Sequence, residues 1–481
     1  MAKITISFYQ IMLFGKRIKE LRASQKLPQR VVADAVEITI PLYSRVERGE
    51  RTLSKSHLPK LAQVLNVEEN ELLKLYLADQ VALVLDGQSE IYDDVLDIAK
   101  NGIKKMSKKS KFTFIDLFAG IGGFHYALHS TGGECVFASE WDKNARISYE
   151  NNFKNISPAL FQKDSDGNYI YFNGDINEAD PTKIPNFDIL CGGFPCQPFS
   201  IAGLRKGFED ARGTLFFNIA NIVNTKIEKG KKPKVLLLEN VKGLKNHMKG
   251  ETMKTLLRIL KEDLHYEVRT EVLNAKYFGV PQNRERLFFV CWDPDQIKAS
   301  DFIFPLGLNS SNKPIFKKED LGDCIITRVK DILEPSDSIE ESFTISDRMW
   351  IGHQERKKRN KENGKGFGYS LFTTDSVYCS TISARYWKDG SEILIDQSAE
   401  GKNPRKLTPV EAGRLQGYRI IGKGWEDPAA ANNFNNDEQN PEMTIVVSKK
   451  EAYHQFGNSV ALPVVKALAR QITEQLLKKS K

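Results

Sequence analysis

The residue best suited to chemistry is Cys196, at the centre of the loop GGFPCQPFS that runs from Gly192 to Ser200. This loop directly follows an apolar stretch, 187–191, that is predicted to be a β-strand, and open α/β sheets bind ligands at the carboxyl ends of their strands. Two prolines and two glycines impose an unusual backbone path. A cysteine is usually inert core filler, but this loop is a poor place for filler. The pattern favours a nucleophilic thiol.

An acid and two arginines stand at the ends of other predicted strands. Glu239 closes the stretch 235–238, where it suits either a general acid beside a thiol or a solvated loop carboxylate. Arg284 and Arg286 enter the strand that begins at Leu287, and residues two apart on a strand point the same way. They suit bidentate bracing of a carboxylate or a planar polar ring. The alternative is a surface ion pair with Glu285.

A glycine turn follows the first predicted strand of this region, in the sequence DLFAGIGGF from Asp116 to Phe124. Glycines allow a sharp turn and close approach to a ligand, and the helix that begins there presents free N–H groups. Glu140 closes the next strand, where an acid can accept hydrogen bonds from ribose hydroxyls. A tight structural turn and a nicotinamide dinucleotide site remain alternatives. The G-x-G-G spacing departs from the dinucleotide pattern and favours another adenosine cofactor.

The elements that carry these residues alternate between strand and helix. Such alternation predicts an α/β fold with a doubly wound, Rossmann-like parallel sheet. The predicted strands are 112–118, 135–139, 187–191, 235–238 and 287–292. Residues 300–405 lose this rhythm and predict a smaller, irregular β-containing domain, with β-like pieces at 377–381 and 392–395. Residues 13–77 predict an all-helical unit.

These changes of character give the predicted domain boundaries. They are a helical domain over 10–80, a connector over 81–111, an α/β domain over 112–300, the irregular domain over 301–405 and a return to the α/β domain over 406–481.

Composition excludes several classes of protein. No apolar run approaches the length of a transmembrane helix, and the first eleven residues lack the order of features found in a secretion signal. The six cysteines include no Cys-x-x-Cys pair, which argues against a disulfide scaffold, a structural zinc or any metal site and favours a cytoplasmic protein. The net charge of +8 permits a polyanionic partner without requiring one.

Six motifs, taken in order, resemble those of the DNA (cytosine-5-) methyltransferase family. They are Phe118-Ala119-Gly120, Pro195-Cys196-Gln197, Glu239-Asn240-Val241, Gln282-x-Arg284-x-Arg286, Arg414-Leu415-Gln416-Gly417 and Gln455-Phe456-Gly457-Asn458-Ser459-Val460. The resemblance implies transfer of a methyl group from S-adenosylmethionine to C5 of a cytosine that is flipped out of duplex DNA. It implies Cys196 as the nucleophile at C6, Glu239 at N3 and the exocyclic amine, Arg286 at O2, and Arg284 as the partner that supports Arg286.

The same resemblance implies a cofactor site. The implied residues are Phe118, Gly120, Gly122, Glu140 at the ribose, Trp141 against the adenine, Asp175 and Ile176, Pro195, Asn458 and Val460.

Residues 300–405 occupy the variable target-recognition region of the family. The segment TISARYWKDG, from Thr381 to Gly390, resembles the Dcm-type branch that reads CCWGG or a related site. Arginine to guanine is the commonest specific contact with bases, so the implied DNA-binding residues are Arg385, Tyr386 and Lys388, with Gln197 and Ser200 beside the cysteine. A surface loop with ordinary phosphate contacts explains Arg385 and Lys388 almost as well. The run 356–359 is predicted to be a solvated or phosphate-facing loop, and the Asn-rich stretch 429–440 is longer than this branch usually has.

Residues 13–77 resemble helix-turn-helix regulators of the Cro and lambda-repressor type. The resemblance implies a recognition helix over 39–48, with Thr39, Ser44 and Arg45 as DNA-binding residues. Glu37 stands where a turn glycine is expected, so a structural or protein-contacting module remains an alternative to operator binding.

The leading hypothesis is a bacterial, nucleoid-associated methyltransferase that acts on double-stranded DNA. It would protect DNA beside a cognate restriction endonuclease, and its helical domain would repress its own promoter. A regulator with an idle methylase region and a nicotinamide dehydrogenase are the competing hypotheses. The intact Cys196, Glu239 and Arg286 argue against the first of these, and the Pro-Cys-Gln loop argues against the second.

Overall fold

The computed structural model describes residues 13–84, 95, 110–195, 215–298, 300–366, 368–420 and 442–478. The chain divides into two compact units, residues 1–109 and 110–481. No helix within the described ranges is long and apolar enough to cross a membrane.

The described part of the first unit, residues 13–84 and 95, contains five α-helices. They are α1 (Leu13–Ser24), α2 (Gln29–Ala35), α3 (Ile40–Glu47), α4 (Leu58–Val64) and α5 (Glu69–Val84). A small apolar core that includes Ile18, Val32, Tyr43 and Leu61 holds them together. The turn before α3 places Glu37 in the left-handed region, at a φ of 59°. Glycine adopts this conformation at least cost, so the sequence departs from the expected glycine while the backbone keeps the glycine-type turn.

The second unit contains a seven-stranded sheet with the order β3-β2-β1-β4-β5-β7-β6. Its strands are β1 (Phe112–Leu117), β2 (Gly133–Ser139), β3 (Phe172–Asn173), β4 (Ile189–Gly193), β5 (Val235–Val241), β6 (Glu267–Asn274) and β7 (Glu285–Trp292). Neighbouring residues of β1 face opposite sides, so that Phe114 enters one apolar core and Ile115 the other. Both faces of the sheet are therefore covered, as the sequence predicts for a doubly wound fold.

Helices cover the two faces of this sheet. They are α6 (Gly123–Ser130), α7 (Lys143–Phe153), α8 (Leu215–Glu228) and α9 (Glu251–Arg258), with α12 (Lys449–Asn458) and α13 (Leu462–Leu477) from the end of the chain. The apolar residues of α6, α7, α12 and α13 join one core, and those of α8 and α9 join the other. Residues from the end of the sequence thus complete the packing of a sheet that begins at Phe112.

The predicted parallel sheet is correct for five strands and wrong for β7. Strands β3, β2, β1, β4 and β5 are parallel, whereas β7 is antiparallel to both of its neighbours. The physical reason is the preceding connection. Only residues 275–284 separate β7 from β6, a strand that the sequence reading missed, and a parallel crossover needs a dozen residues or more.

Residues 300–420 add short elements to the same compact unit. They are β8 (Gly307–Leu308), β9 (Pro314–Ile315), α10 (Asp347–Glu362), β10 (Leu371–Phe372), β11 (Leu394–Ile395), β12 (Arg405–Lys406) and α11 (Pro409–Leu415). The predicted β-like piece at 392–395 contains β11, but the piece at 377–381 contributes only an isolated bridge through Cys379. The prediction of a loop at 356–359 is wrong. These residues lie in α10, which begins at the Ser346 cap and continues to Glu362.

Two buried side chains tie the segment before β7 to distant parts of the chain. The Gln282 amide donates to the Leu415 carbonyl at 3.0 Å, and its Oε1 accepts from the Ile382 N–H. The Arg284 guanidinium donates to three carbonyls, those of Ile382 (3.1 Å), Gly457 (3.0 Å) and Ser459 (2.6 Å). These bonds join segments that lie about one hundred or more residues apart in the sequence, and they fix the strand entrance between them.

We expect Arg284→Met to lower the free energy of unfolding of this unit by about 3 kcal/mol or more, because it leaves three buried carbonyls without a charged donor. Arg258→Met is the matched control: Arg258 pairs with Asp263 near the surface, and such a pair contributes at most about 1 kcal/mol. All five tryptophans lie beyond residue 140, so tryptophan fluorescence in urea reports this unit. Equal losses in the two variants would contradict the prediction.

Candidate active site

One edge of the sheet collects most of the residues that the sequence singled out. The parallel strands β1 to β5 all end there, and each carries a candidate at or near its end. Phe118 and Glu140 directly follow β1 and β2, Asp175 and Pro195 lie two residues after β3 and β4, and Glu239 lies near the end of β5 itself. Carboxyl ends of parallel strands share an edge, so the fold brings together residues that are scattered over the sequence.

Glu239 and Arg286 form an ion pair at this edge. Arg286 Nε lies 3.0 Å from Glu239 Oε1, and only 12% of the Glu239 side chain and 18% of the Arg286 side chain are exposed. The pairing of β5 with β7 creates the contact, because the antiparallel register sets Arg286 opposite Val241 and Phe288 opposite Glu239. A parallel β7 would have placed its entrance at the other edge of the sheet.

Burial dominates the electrostatics of the pair. Desolvation raises the pKa of Glu239 above the usual glutamate range, and attraction to Arg286 and Arg284 opposes that rise. Desolvation also lowers the pKa of Arg286, and Glu239 opposes that shift. The carboxyl group is therefore easier to protonate than an exposed glutamate, while a guanidinium remains beside it.

The strand that leads to Cys196 packs directly against Glu239. Gly193 is paired with Glu239 across β4 and β5, and a Cβ on Gly193 would lie 3.0 Å from Glu239 Oε2. The buried Asn240 amide donates to the Phe194 carbonyl at 2.8 Å and so fixes the start of the loop. Cys196, Gln197 and Ser200 themselves lie outside the described residues.

Arg284 does not pair with Glu239 as Arg286 does. Its guanidinium instead donates hydrogen bonds to the carbonyls of Ile382, Gly457 and Ser459. Burial lowers the pKa of Arg284 to about 9, repulsion from Arg286 adds to the shift, and Glu239 opposes it. The side chain is still charged at neutral pH. Its geometry is that of a structural tie, which supports Arg286 by fixing the entrance of β7.

The glycine turn after β1 is bound to Glu140. The Gly120 N–H donates to Glu140 Oε2 at 2.7 Å, and the Asp142 N–H donates to Oε1 at 2.8 Å. Gly122 has a φ of 84°, and a Cβ there would lie 2.1 Å from the Phe153 ring. A Cβ on Gly120 would meet nothing within 4 Å. The turn is therefore closed towards α7 and open at Gly120.

The remaining candidates for the cofactor lie around this turn. Trp141 follows Glu140 and is 78% exposed, so that one large aromatic ring is free beside the turn. Ser139 Oγ donates to the Gly174 carbonyl at 3.0 Å, which holds Asp175 near Glu140. Asp175 is half-buried and its Oδ1 accepts from the Asn177 N–H, whereas Ile176 is buried in the core.

Two candidates approach from the end of the chain. Val460 packs against the turn, since a Cβ on Gly123 would lie 2.5 Å from Val460 Cγ2. Asn458 is exposed, and its amide lies 3.3 Å from His454 Nε2. The buried carboxylate of Glu140, the half-buried carboxylate of Asp175, the exposed indole and the open glycine turn suit an adenosyl group. Carboxylates accept from hydroxyls and amines, and a flat ring stacks on an indole.

The structure separates the three DNA-binding candidates of the recognition region. Arg385 and Lys388 are exposed on the turn that follows Ser383. Tyr386 is a correction: its ring is fully buried, its hydroxyl donates to the Ile393 carbonyl at 2.7 Å, and the same oxygen accepts from the Leu407 N–H. A phenol with both hydrogen-bonding functions used inside the core is a packing residue and does not face DNA.

In the first unit, the candidates lie on α3. Thr39 caps the helix by accepting from the Leu42 N–H, which gives it a structural function irrespective of DNA. Arg45 is exposed, and Ser44 is half-buried and accepts from Arg48 at 2.7 Å. The buried Glu47 binds both Arg22 and Gln29, which fixes α3 against the two preceding helices.

Sequence reasoning did not single out the polar residues that hold the site from behind. Asn240 fixes the cysteine loop and Gln282 fixes the entrance of β7. Asn240 directly follows Glu239, and Gln282 lies two residues before Arg284. A side-chain amide this close to a charged residue of a motif was the available signal. Ser459 and Tyr418 carried no such signal, although their hydroxyls lie 2.7 Å apart behind the glycine turn.

The chain matches two protein families. The model of the C-5 cytosine-specific DNA methylase family matches residues 112–474, and that of a helix-turn-helix family matches residues 18–72. Among curated proteins, the chain is 46% identical over 377 residues to the type II methyltransferase M1.ScrFI of Lactococcus lactis subsp. cremoris, covering 78% of this chain and 81% of that protein.

Two other relatives and two solved structures agree with this match. The type II methyltransferase M.SsoII of Shigella sonnei is 44% identical, over 77% of this chain and 82% of its own. The DNA-cytosine methyltransferase of Escherichia coli K12 is 33% identical, over 76% and 78%. Dnmt2 of S. pombe (TM-score 0.52, 18% identity, 76% of this chain and 99% of that one) and EhMeth of Entamoeba histolytica (TM-score 0.53, 16% identity, 76% and 99%) share the fold. By these matches the chain belongs to the C-5 cytosine-specific DNA methylase family and is a DNA cytosine methyltransferase with a helix-turn-helix region ahead of the methylase region.

Proposed function

We propose that the enzyme methylates C5 of a cytosine in duplex DNA through a transient bond between Cys196 Sγ and C6 of the ring. The observation that carries this proposal is the buried pair of Glu239 and Arg286 against the strand end that leads to Cys196. Cytosine C5 is a poor nucleophile, and addition of a thiolate at C6 converts it into an enamine carbon. An acid and a cation beside the ring would stabilise the charge that develops on it.

Each group has one task in this scheme. As the Sγ–C6 bond forms, Glu239 delivers its proton to N3 and also bonds the exocyclic amine, while Arg286 donates to O2. C5 would then accept the methyl group that the bound cofactor supplies, and the sulfur–methyl bond of its sulfonium would break to leave a neutral thioether. A water molecule removes the C5 proton, the Sγ–C6 bond breaks, and N3 returns its proton to Glu239. The raised pKa of Glu239 supports this assignment, because only a protonated carboxyl group can make the first transfer.

We assign the methyl donor as S-adenosylmethionine, which supplies an electrophilic methyl group on a sulfonium. The described residues that would hold it line the glycine turn and the neighbouring strand ends. They are Phe118, Gly120, Gly122, Glu140, Trp141, Asp175, Ile176, Pro195, Asn458 and Val460. The open Gly120 and the exposed Trp141 support the assignment. Glu140 would accept from ribose hydroxyls through lone pairs that its two backbone hydrogen bonds leave free.

The target cytosine must leave the base stack to meet buried groups, at a cost of a few kcal/mol. We propose a CCWGG- or CCNGG-like recognition site, read by the exposed Arg385 with Lys388 beside it and by Gln197 and Ser200 near the target. The chain resembles type II methyltransferases. The matching biological function is to protect bacterial DNA from a cognate restriction endonuclease, with the enzyme at the nucleoid in the cytoplasm.

A covalent trap tests the chemistry. Fluorine at C5 cannot leave as a proton, so that a duplex with 5-fluorocytosine in CCWGG is expected to retain the enzyme covalently in the presence of S-adenosylmethionine. Cys196→Ala should form no adduct, and its methyl incorporation should fall to background. Cys324→Ala is the control, because it removes the half-buried thiol among the five described cysteines and should keep both activities.

Two further DNA substrates separate chemistry from recognition. A duplex with a scrambled site should give no adduct, and plasmid DNA made with 5-fluorocytosine throughout contains every short site. An adduct on the plasmid but not on CCWGG would refute the recognition site alone. No adduct on any of the substrates, or an adduct through another side chain, would refute Cys196 as the nucleophile.

The raised pKa of Glu239 predicts a pH dependence. The protonated fraction of Glu239 falls as the pH rises through its folded-state pKa, so kcat should fall along that limb of the profile. Glu239→Gln keeps a hydrogen-bonding amide but has no proton to transfer, so kcat should drop about 10²–10⁴-fold and the limb should disappear. The measurement is kcat against pH at saturating DNA. A descending limb that persists unchanged in Glu239→Gln would assign it to another group.

We also propose that the helix-turn-helix region binds operator DNA and represses the promoter of its own gene. The exposed Arg45 and the half-buried Ser44 on α3 support this proposal, because the recognition helix of such motifs reads the major groove. Thr39, at the start of α3, would contact the adjoining backbone.

The variant Ser44→Ala/Arg45→Ala is expected to bind its promoter more weakly by about 1–3 kcal/mol per lost base contact, while its methylation rate stays at the wild-type value. Arg30→Ala is the control, since Arg30 is exposed on α2 and pairs only with Asp34. Gel-shift titration on promoter DNA measures the effect. Promoter binding that Ser44→Ala/Arg45→Ala leaves unchanged would favour a structural or protein-contacting module.

A further inference from the structure

An open cavity of about 780 Å³ lies between α10, the glycine-rich turn after it and two segments of the recognition region. Most of its lining residues carry a polar or charged group. The lining residues are Arg356, Lys357, Asn360, Lys361, Gly364, Lys365, Gly366, Gly368, Tyr369, Ser370, Ser380, Thr381, Ser391 and Glu392. Four of these are cations and one is an acid, so the cavity favours an anionic occupant.

The four cations are not equally available. Arg356 is held by Asp389 at 3.0 Å and by His353 Nδ1 at 3.0 Å. Lys357 lies 4.2 Å above the Tyr369 ring and donates to the Tyr369 carbonyl. Lys361 and Lys365 are exposed, and neither forms an ion pair with any residue that the structure describes. The cavity therefore offers two uncompensated ammonium groups.

The acid of the cavity is engaged elsewhere. Glu392 Oε1 accepts from the Ser383 hydroxyl, and Ser383 Oγ also accepts from the Arg385 N–H at 3.2 Å. The same carboxylate thus helps to hold the turn that presents Arg385. Glu392 keeps its charge, but the cavity remains net positive because Lys357, Lys361 and Lys365 outnumber it.

Hydrogen bonds place the cavity beside the methylation site. Thr381 Oγ1 donates to the Asn283 carbonyl at 2.6 Å, and the Cys379 N–H donates to the Pro281 carbonyl at 2.8 Å. Residues 281–284 lead directly into β7 and Arg286. The cavity accordingly shares Thr381 with the entrance of the strand that carries Arg286, and it shares Glu392 with the turn that carries Arg385.

We propose that this cavity binds the phosphodiester backbone of the DNA duplex, with Lys361 and Lys365 as its charged ligands. The assignment deepens the proposed function and rests on it for the identity of the DNA. Lysines act on phosphate as point charges, and phosphate contacts fix the register of a protein on its site. Gly364 and Gly366 would carry a Cβ into open space, so the turn leaves room for a sugar–phosphate chain. The contact would set the position from which Arg385 reads bases.

The test compares Lys361→Gln/Lys365→Gln with Lys183→Gln/Lys231→Gln. Lys183 and Lys231 are exposed and precede β4 and β5, at the edge of the sheet opposite the site. Binding to a CCWGG duplex and to a scrambled duplex is measured as a function of salt. For the cavity variant the slope of log Kd against log salt should fall by about 2, since each phosphate contact contributes about 0.9. The control variant should keep both the wild-type slope and the wild-type kcat at saturating DNA.

A second measurement locates the contact. Duplexes in which single phosphates are replaced by neutral methylphosphonates should weaken wild-type binding at one or two adjacent positions, and the cavity variant should be insensitive there. An unchanged salt slope, or equal sensitivity of variant and wild type at every position, would overturn the proposal. The proposal would also be overturned if the cavity variant unfolded at a lower urea concentration while its slope of log Kd against log salt stayed unchanged. The lysines would then stabilise the carboxyl end of α10 by their charge and would not bind DNA. The 5-fluorocytosine experiment tests Cys196 separately. If no covalent adduct formed there, the salt dependence of DNA binding could still be measured.

Discussion

The antiparallel pairing of β5 with β7 is the constraint on which the site depends. It sets the entrance of β7 beside the carboxyl end of β5, so that Arg286 and Glu239 meet as a buried pair. A buried ion pair contributes little net stability, because desolvation offsets most of the attraction. Its importance lies in what it places at one edge: a carboxyl group that is easily protonated and a fixed cation, next to the strand end that leads to Cys196.

The same strand entrance is where distant parts of the chain are joined. Arg284 and Gln282 bind carbonyls from the recognition region, from α11 and from the end of α12. Gly457 makes this approach possible, because a Cβ there would lie 2.3 Å from the backbone of Ser383 and Ala384. Arg286, the recognition region and the far side of the glycine turn are thereby held in one arrangement. A mutation in this tie is expected to act on the site through stability.

Charge is divided by function across the methylase unit. Arg284, Arg356 and Arg405 are committed to carbonyls or carboxylates inside the protein, and they serve the architecture. Arg385, Lys361 and Lys365 are exposed and available to a polyanion. The net charge of +8 does not reveal this division, because buried and exposed cations count equally in it.

The sequence by itself determined the class of fold, the order of the motifs and the identity of the acid, the thiol and the arginines, because each of these depends on residue type and local spacing. The strands β1, β2, β4 and β5 and the helix after the glycine turn could be predicted for that reason. Other features depend on contacts between residues far apart in the chain. Tyr386 shares a motif with Arg385, yet only the packing of Leu407 and Ile393 shows that its ring is internal. The helical path of residues 356–359 follows from a local signal, the cap at Ser346. The direction of β7 and the tie at Arg284 were decided by tertiary structure, since no local pattern records which strand will pair with β7 or which distant carbonyl a buried guanidinium will meet.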